Sequence, residues 1–189
     1  AFTVVGDVTM AELLPKLEAA FGAWPSDRRA RPVKTLAAPS PAPRTRLVVI
    51  DRPNSPQSVI YAGRVLPVTG REQGLEALDL ANEVLGDGFL ARLNLLIREE
   101  KGWSYGVRSG VSAPLGQRLF TVAAPVQSDR TGDAIELILS AMNDFAGGKA
   151  GVNAEEFMRV TDGSIRGLPN RFETNGQVLG ALLSLQARG

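Results

Sequence analysis

Apolar residues recur every three to four positions in several parts of the chain, which is the spacing of one face of an α-helix. Two predicted helices, the one with Leu14, Leu17 and Phe21 and a further one that runs to about Leu168, open with a predicted capping box, in which a polar side chain and a glutamate three residues later bond each other's backbone. The boxes are Thr9 with Glu12 and Asn153 with Glu156. The predicted apolar faces consist of Leu14, Leu17 and Phe21; Leu75, Leu78, Ala81, Val84 and Leu85; Phe89, Leu90, Leu93, Leu96 and Ile97; Ile135, Ile138, Leu139, Met142 and Phe145; and Val178, Leu179, Leu182 and Leu183.

Short runs rich in valine, isoleucine and aromatic residues predict β-strands between these helices. The runs cover residues 2–5, 46–51, 58–63, 105–113 and 118–124. The second and third runs flank a proline-containing turn, as do the fourth and fifth, so we expect two hairpins and a sheet of at least four strands. Strands and helices arrive in blocks rather than in alternation. This order favours the α+β class, an antiparallel sheet packed with helices on one side, over a doubly wound parallel sheet.

Residues 26–43 differ in composition from the rest of the chain. They contain four prolines and are rich in arginine and alanine, which predicts an extended linker with solvated basic residues. The predicted division is therefore a terminal strand and helix of a preceding unit at residues 1–25, the linker at 26–43, and a second unit at 44–189. Residues 1–6 lack the basic start and long apolar middle of a signal peptide. We expect a piece of a longer polypeptide, with a natural small subunit as the alternative.

Composition and charge exclude several classes of function. The formal net charge of the 189 residues is +1, so neither nucleic acid nor an anionic membrane is an expected partner. No apolar run approaches the roughly 20 residues that a membrane-spanning helix needs. The chain has no cysteine and no histidine, and most zinc hydrolases and catalytic triads depend on histidine. We therefore expect no cofactor in this chain and no hydrolysis by this chain alone.

Polar groups concentrate in residues 96–106, where a predicted helix ends and a strand begins. Taken alone, Arg98 and Lys101 complement the negative end of the helix dipole, and Tyr105 is a strand residue with a solvated hydroxyl group. The pairs Glu99-Glu100 and Glu155-Glu156 are not expected to form an acid–base or metal site. Neighbouring side chains on a helix point about 100° apart and do not converge on one ion.

Three further features suggest chemistry only weakly. Gly86-Asp87-Gly88 lacks the spacing and the following lysine of a phosphate loop, so it predicts a tight turn between two helices. Asn94 and Ser104 offer an amide and a hydroxyl group. Without histidine or a positioned lysine base, a serine nucleophile is not expected.

Several motifs together resemble bacterial members of the M16 family of metallopeptidases, the pitrilysin and processing-peptidase group. The motifs are VGDV at residues 5–8, FGAW at 21–24, DRPNSPQS at 51–58, Arg92-Leu93, REEKGWSYGV at 98–107 and RFET at 171–174. The resemblance covers nearly the whole chain, and the 98–107 stretch is its most specific part. It implies the second, non-zinc lobe of a two-lobed shell that encloses a chamber, preceded by the last strand and helix of the first lobe.

The resemblance also implies a site and a partner. In the family, the first lobe or a separate subunit carries an H-x-x-E-H motif that binds zinc. The second lobe supplies an arginine and a tyrosine that face the zinc across the closed chamber, and these match Arg98 and Tyr105. An unfolded peptide is the implied substrate, and a periplasmic or otherwise exported bacterial location is implied.

Two other functions stay open at this point. One is a non-catalytic M16-like scaffold subunit, and the other is a module that binds extended peptides without cutting them. The helix with Leu14, Leu17 and Phe21 is predicted to expose an apolar face, which favours homo-oligomers.

Overall fold

The computed structural model describes residues 2–24, 35, 37 and 44–188, and the chain divides into two compact units. One unit consists of Ala1–Ala37 with Arg166–Gly189, and the other is Ala38–Ile165. Apart from Thr35 and Ala37, the predicted linker at residues 26–43 lies outside the described residues. The predicted division into residues 1–25, 26–43 and 44–189 therefore stays a prediction.

The first unit contains helix α1, Met10–Phe21, and helix α6, Asn175–Arg188. The predicted capping box of α1 is confirmed, because the Thr9 hydroxyl accepts from the Glu12 amide and the Glu12 carboxylate accepts from the Thr9 amide. The bond from the Thr9 amide lowers the pKa of Glu12. The predicted buried strand at residues 2–5 is wrong. This segment pairs with no strand among the described residues, and its Phe2 ring packs instead on Phe21, with ring centroids 4.7 Å apart.

The second unit is built on an antiparallel sheet of three strands in the described residues. The strands are β1 (Gln57–Thr69), β2 (Arg108–Val111) and β3 (Gln117–Gln127), in the spatial order β1-β3-β2. The expected fourth strand does not form, because residues 46–51 are described and have no regular secondary structure. Residues 47–50 are 61–83% exposed. Among the described residues this β-prone segment pairs with no strand, although β1 lies at the edge of the sheet and its outer edge has no partner there.

Helices cover one face of the sheet, which confirms the α+β class. The helices with residues in the core are α2 (Leu75–Leu85), α3 (Arg92–Asn94, continued by the π-helix Leu95–Glu100) and α4 (Thr131–Ala146). They are followed by α5 (Ala154–Gly167), and short 3₁₀ turns occupy Ser128–Arg130 and, in the first unit before α6, Pro169–Phe172. The core between sheet and helices includes Val122 and Val126 of β3, Ile97, and Ile138 of α4. Leu139, predicted on the buried side of α4, is half exposed.

Alternate residues of β1 show that the other face of the sheet is open. Ile60 and Ala62 pack against the core, whereas Val59 and Tyr61 are 68% and 75% exposed. Successive strand residues point to opposite faces, so the second pair lies on the uncovered face. The candidate site described next adjoins this face.

Candidate functional site

The helical segment that carries Arg98 changes its winding just before that residue. It starts as the α-helix Arg92–Asn94 and continues as the π-helix Leu95–Glu100. π-Helical turns are rare, and they occur frequently at functional sites. Gly102 then reverses the chain with a φ of 66°, and the Trp103 amide donates to the Ile97 carbonyl at 3.0 Å. The predicted glycine end of this helix is confirmed.

The start of this segment is fixed by Arg92. Its guanidinium group donates two hydrogen bonds of 2.6 Å to the Glu156 carboxylate, and it also donates to the carbonyls of Ala150 and Gly151. The hydrogen bonds from Arg92 lower the pKa of Glu156, and the same bonds raise the pKa of Arg92. Glu156 also closes the predicted capping box with Asn153. Glu156 is thus part of a structural ion pair that holds α3 against the start of α5.

Two polar side chains hold the loop that carries Tyr105. Asn94 is buried, and its side chain donates to the Phe89 carbonyl at 2.7 Å and accepts from the Val107 amide at 3.0 Å. The Ser104 hydroxyl donates to the Pro125 carbonyl and accepts from the Gly106 amide at 3.0 Å. Tyr105 is therefore flanked by residues tied to β3 and to the Arg98 segment, while its own side chain is 90% exposed. The Ser104 hydroxyl therefore ties this loop to β3.

Arg98 and Tyr105 line the same open depression, whose volume is about 470 Å³. The Arg98 guanidinium lies over the Phe89 ring, 4.4 Å from its centroid, which restricts the positions the cation can take. Besides these residues, the wall is formed by Gly88, Asn94, Gly106, Val107, Arg108, Ala123 and Pro125. Sequence reasoning had considered the Asn94 amide but missed Phe89 and Arg108 as site residues. Alternate residues of β2 and β3 bring Arg108, Ala123 and Pro125 to the wall of the depression. Their proximity can be recognised only when the strand register is known.

The charges around the depression favour a ligand that accepts hydrogen bonds. Arg98 is near the exposed carboxylate of its neighbour Glu99 at 3.4 Å, and such exposed pairs are weak. Arg108 forms no ion pair with any residue that the structure describes. Two guanidinium groups and a phenol therefore supply donors, and carbonyl or carboxylate oxygens are the matching acceptors.

The chain lacks the side chain that most protein zinc sites use. It contains no histidine. Within the described ranges, no three histidine, cysteine, aspartate or glutamate side chains come together in a way that would hold a metal ion. None of the helices in the same ranges combines the length and hydropathy that a bilayer crossing requires.

Residues 1–163 match the protein-family model described as the peptidase M16 inactive domain. The chain belongs to this M16 family. The inactive M16 domain carries no catalytic zinc site of its own, and within the family it works with a partner lobe. A comparison with curated protein sequences gave no match.

Solved structures share the M16 fold of this chain. A peptidase M16 inactive domain from Pseudomonas fluorescens matches 97% of this chain with a TM-score of 0.80 and 20% identity. A protease from Helicobacter pylori matches 97% of it with a TM-score of 0.74 and 15% identity. The periplasmic protease PqqL from Escherichia coli also matches 97%, with a TM-score of 0.67 and 19% identity. The chain spans 42%, 44% and 20% of those three chains, respectively.

Proposed function

We propose that this chain is the non-zinc half of a zinc metalloendopeptidase that degrades or processes unfolded peptides in a closed chamber of two lobes. The observation that carries the proposal is that Arg98 and Tyr105 line one open depression although six residues separate them in the chain. Zinc is expected in the partner lobe or subunit, since this chain contains no histidine and its described residues hold no group of metal ligands. The chain alone is expected to be inactive.

The proposed contribution of this chain is hydrogen bonding to the substrate. Arg98 is permanently charged and half-buried, and its side chain is stacked on Phe89, so it can donate to a peptide carbonyl at low entropic cost. The Tyr105 hydroxyl makes no hydrogen bond within the described residues and is open to an incoming peptide. Donors held in advance stabilise the negative charge that develops on a carbonyl oxygen during peptide hydrolysis.

The surroundings of the two side chains suit this role. The Arg98 segment is anchored at its start by the Arg92–Glu156 pair, and the Tyr105 loop is held by Asn94 and Ser104. A rigid frame of this kind keeps donors in position before the substrate arrives, which is where much of the rate gain in such sites originates. The Tyr105 hydroxyl makes no hydrogen bond among the described residues, and the contact of Arg98 with Glu99 is a weak, exposed pair, so both side chains can bond to a substrate.

An activity assay with separated lobes tests this proposal. Cleavage of a quenched, unfolded peptide is measured with this chain, with a zinc-motif M16 lobe, and with their mixture, while size-exclusion chromatography monitors association. We expect cleavage only in the mixture. A mixture that associates but stays inert would favour the scaffold alternative, and tight peptide binding by this chain without any partner lobe would favour the peptide-binding module.

The location of the protein and its assembly belong to the same proposal. We propose a periplasmic or otherwise exported bacterial setting, which the likeness to the periplasmic protease PqqL supports. A homo-oligomer is proposed through the apolar surface of the first unit. Leu14 of α1 and Phe2 and Val4 beside it are exposed large apolar residues, and such surface favours association. Light scattering at increasing protein concentration tests the second statement, and a strictly monomeric chain contradicts it.

A further inference from the structure

On the open face of the sheet, next to the depression with Arg98 and Tyr105, a small side chain lies between two large ones, and we call this arrangement the groove. The register places Tyr61 of β1, Ala123 of β3 and Arg108 of β2 in one row across the three strands. Residues directly opposite each other in antiparallel strands project from the same face. Ala123 and Arg108 also line the depression, so the row is continuous with it.

The row has a small residue in its centre and larger side chains on both sides. Neighbouring strands are about 4.8 Å apart, so Tyr61 and Arg108 stand roughly 10 Å from each other across Ala123. The next row, Val59 opposite Pro125, continues the apolar side along β1. This width admits one extended peptide segment along β3.

The two sides of the groove differ in chemistry. Tyr61 and Val59 expose most of their apolar surface, at 75% and 68%. Arg108 is exposed, and no carboxylate pairs with it among the described residues. An extended peptide directs successive side chains to opposite sides. A segment with an acidic residue next to an aromatic or aliphatic one would match both sides at once.

We propose that Tyr61 and Arg108 form a specificity subsite for such a segment, with Arg108 binding an Asp or Glu side chain and Tyr61 the neighbouring apolar side chain. The subsite rests on the proposed function, because it extends the depression that is assigned there to substrate binding. It names the substrate class as unfolded peptides with adjacent acidic and apolar residues. The Arg98 and Tyr105 donors contact the peptide backbone, whereas the subsite contacts its side chains.

Fluorescence anisotropy with labelled short peptides and this complete chain tests the subsite. The peptides are acetylated, amidated and identical except for a central Phe-Glu, Phe-Lys or Ala-Glu pair, and amidation excludes binding through a terminal carboxylate. We expect the Phe-Glu peptide to bind about fivefold more tightly than either of the other two. A difference of this size is expected when a peptide loses one partly exposed ion pair or one apolar contact.

A charge reversal gives the sharper result. Arg108→Glu is expected to invert the preference, so that Phe-Lys binds more tightly than Phe-Glu, while Arg108→Gln only removes it. Tyr61→Ser is expected to abolish the difference between Phe-Glu and Ala-Glu. Arg64→Glu is the matched control, since Arg64 is an exposed arginine of β1 on the opposite face, paired with Phe120. An unchanged preference in Arg108→Glu, or no binding of any peptide up to about 1 mM, overturns the subsite.

Cleavage by the mixture of lobes separates this inference from the proposed function. Charge-selective binding with an inert mixture would support the subsite and contradict the peptidase. Suppose instead that the mixture is active, and that the ratio of kcat/KM between the Phe-Glu and Phe-Lys peptides is the same for Arg108→Glu as for the wild-type chain. This result would support the peptidase and contradict the subsite.

Discussion

Replacing Asn94 with alanine removes the side chain that joins both sides of the candidate site. Its amide group donates to the Phe89 carbonyl at 2.7 Å, and its amide oxygen accepts from the Val107 amide at 3.0 Å. Asn94 is 4% exposed and Val107 is fully buried. Water therefore has little access to the polar groups that the substitution leaves behind, the Val107 amide above all.

The magnitude follows from these two contacts. A buried donor or acceptor left without a partner costs about 1–3 kcal/mol. The Val107 amide is buried, whereas the Phe89 carbonyl belongs to an exposed residue and can be solvated in part. We therefore expect Asn94→Ala to lower the free energy of unfolding by about 2–4 kcal/mol, with the Val107 amide accounting for most of it.

Urea unfolding followed by far-UV circular dichroism measures this change. With a slope of about 2 kcal/mol/M, the midpoint should fall by about 1–2 M. Asn143→Ala is the matched control, because Asn143 lies in α4 with an exposed side chain, and we expect a change of at most about 0.5 kcal/mol. A midpoint for Asn94→Ala equal to that of the control would refute the assigned hydrogen-bonding role.

Three further predictions concern stability and solubility. The Arg92 hydrogen bonds hold the Glu156 pKa below its ordinary 4.5. Their contribution to the free energy of unfolding is therefore present above that pH and is lost as the pH falls through the lower folded value. When the free energy of unfolding is measured at decreasing pH, Glu156→Gln should lose less of it than the wild-type protein. A Cβ on Gly86 would lie 2.9 Å from the Ser109 amide nitrogen, whereas one on Gly88 meets nothing closer than 3.7 Å. In urea unfolding, Gly86→Ala should lower the free energy of unfolding by about 2–4 kcal/mol, and Gly88→Ala should lower it far less. Equal losses would contradict the close packing at Gly86. Ile50 is 83% exposed within an apolar, β-prone run. Ile50→Lys should therefore reduce light scattering at high protein concentration with little change in the unfolding midpoint. Unchanged scattering would show that this run does not drive association.

Local signals in the sequence predicted the helices well. The capping boxes at Thr9 and Asn153 fix helix starts through contacts within four residues, and a glycine reverses the chain after the Arg98 helix. Residues 46–51 have the composition of a strand, yet they pair with no strand among the described residues, although the outer edge of β1 has no partner there. Composition alone does not contain that pairing information.

The candidate site was predictable only in part. The family resemblance singled out Arg98 and Tyr105, and the structure places both at one depression. The π-helical winding before Arg98 leaves no clear mark in the sequence. The row of Tyr61, Ala123 and Arg108 depends on the register of three strands, two of which are separated by about 50 residues. Register across such distances follows from packing of the whole sheet.

The central claim is that Arg98 and Tyr105 act on the substrate from this lobe. The most direct measurement is kcat of the mixed lobes with Arg98→Ala and Tyr105→Phe, at equal zinc content and equal association, with Arg64→Ala as the control on the opposite face of the sheet. Each site variant should lower kcat by about 10²-fold, as for the loss of an oxyanion donor, while the control stays within twofold of wild type. A kcat for both site variants that equals the control would contradict the claim.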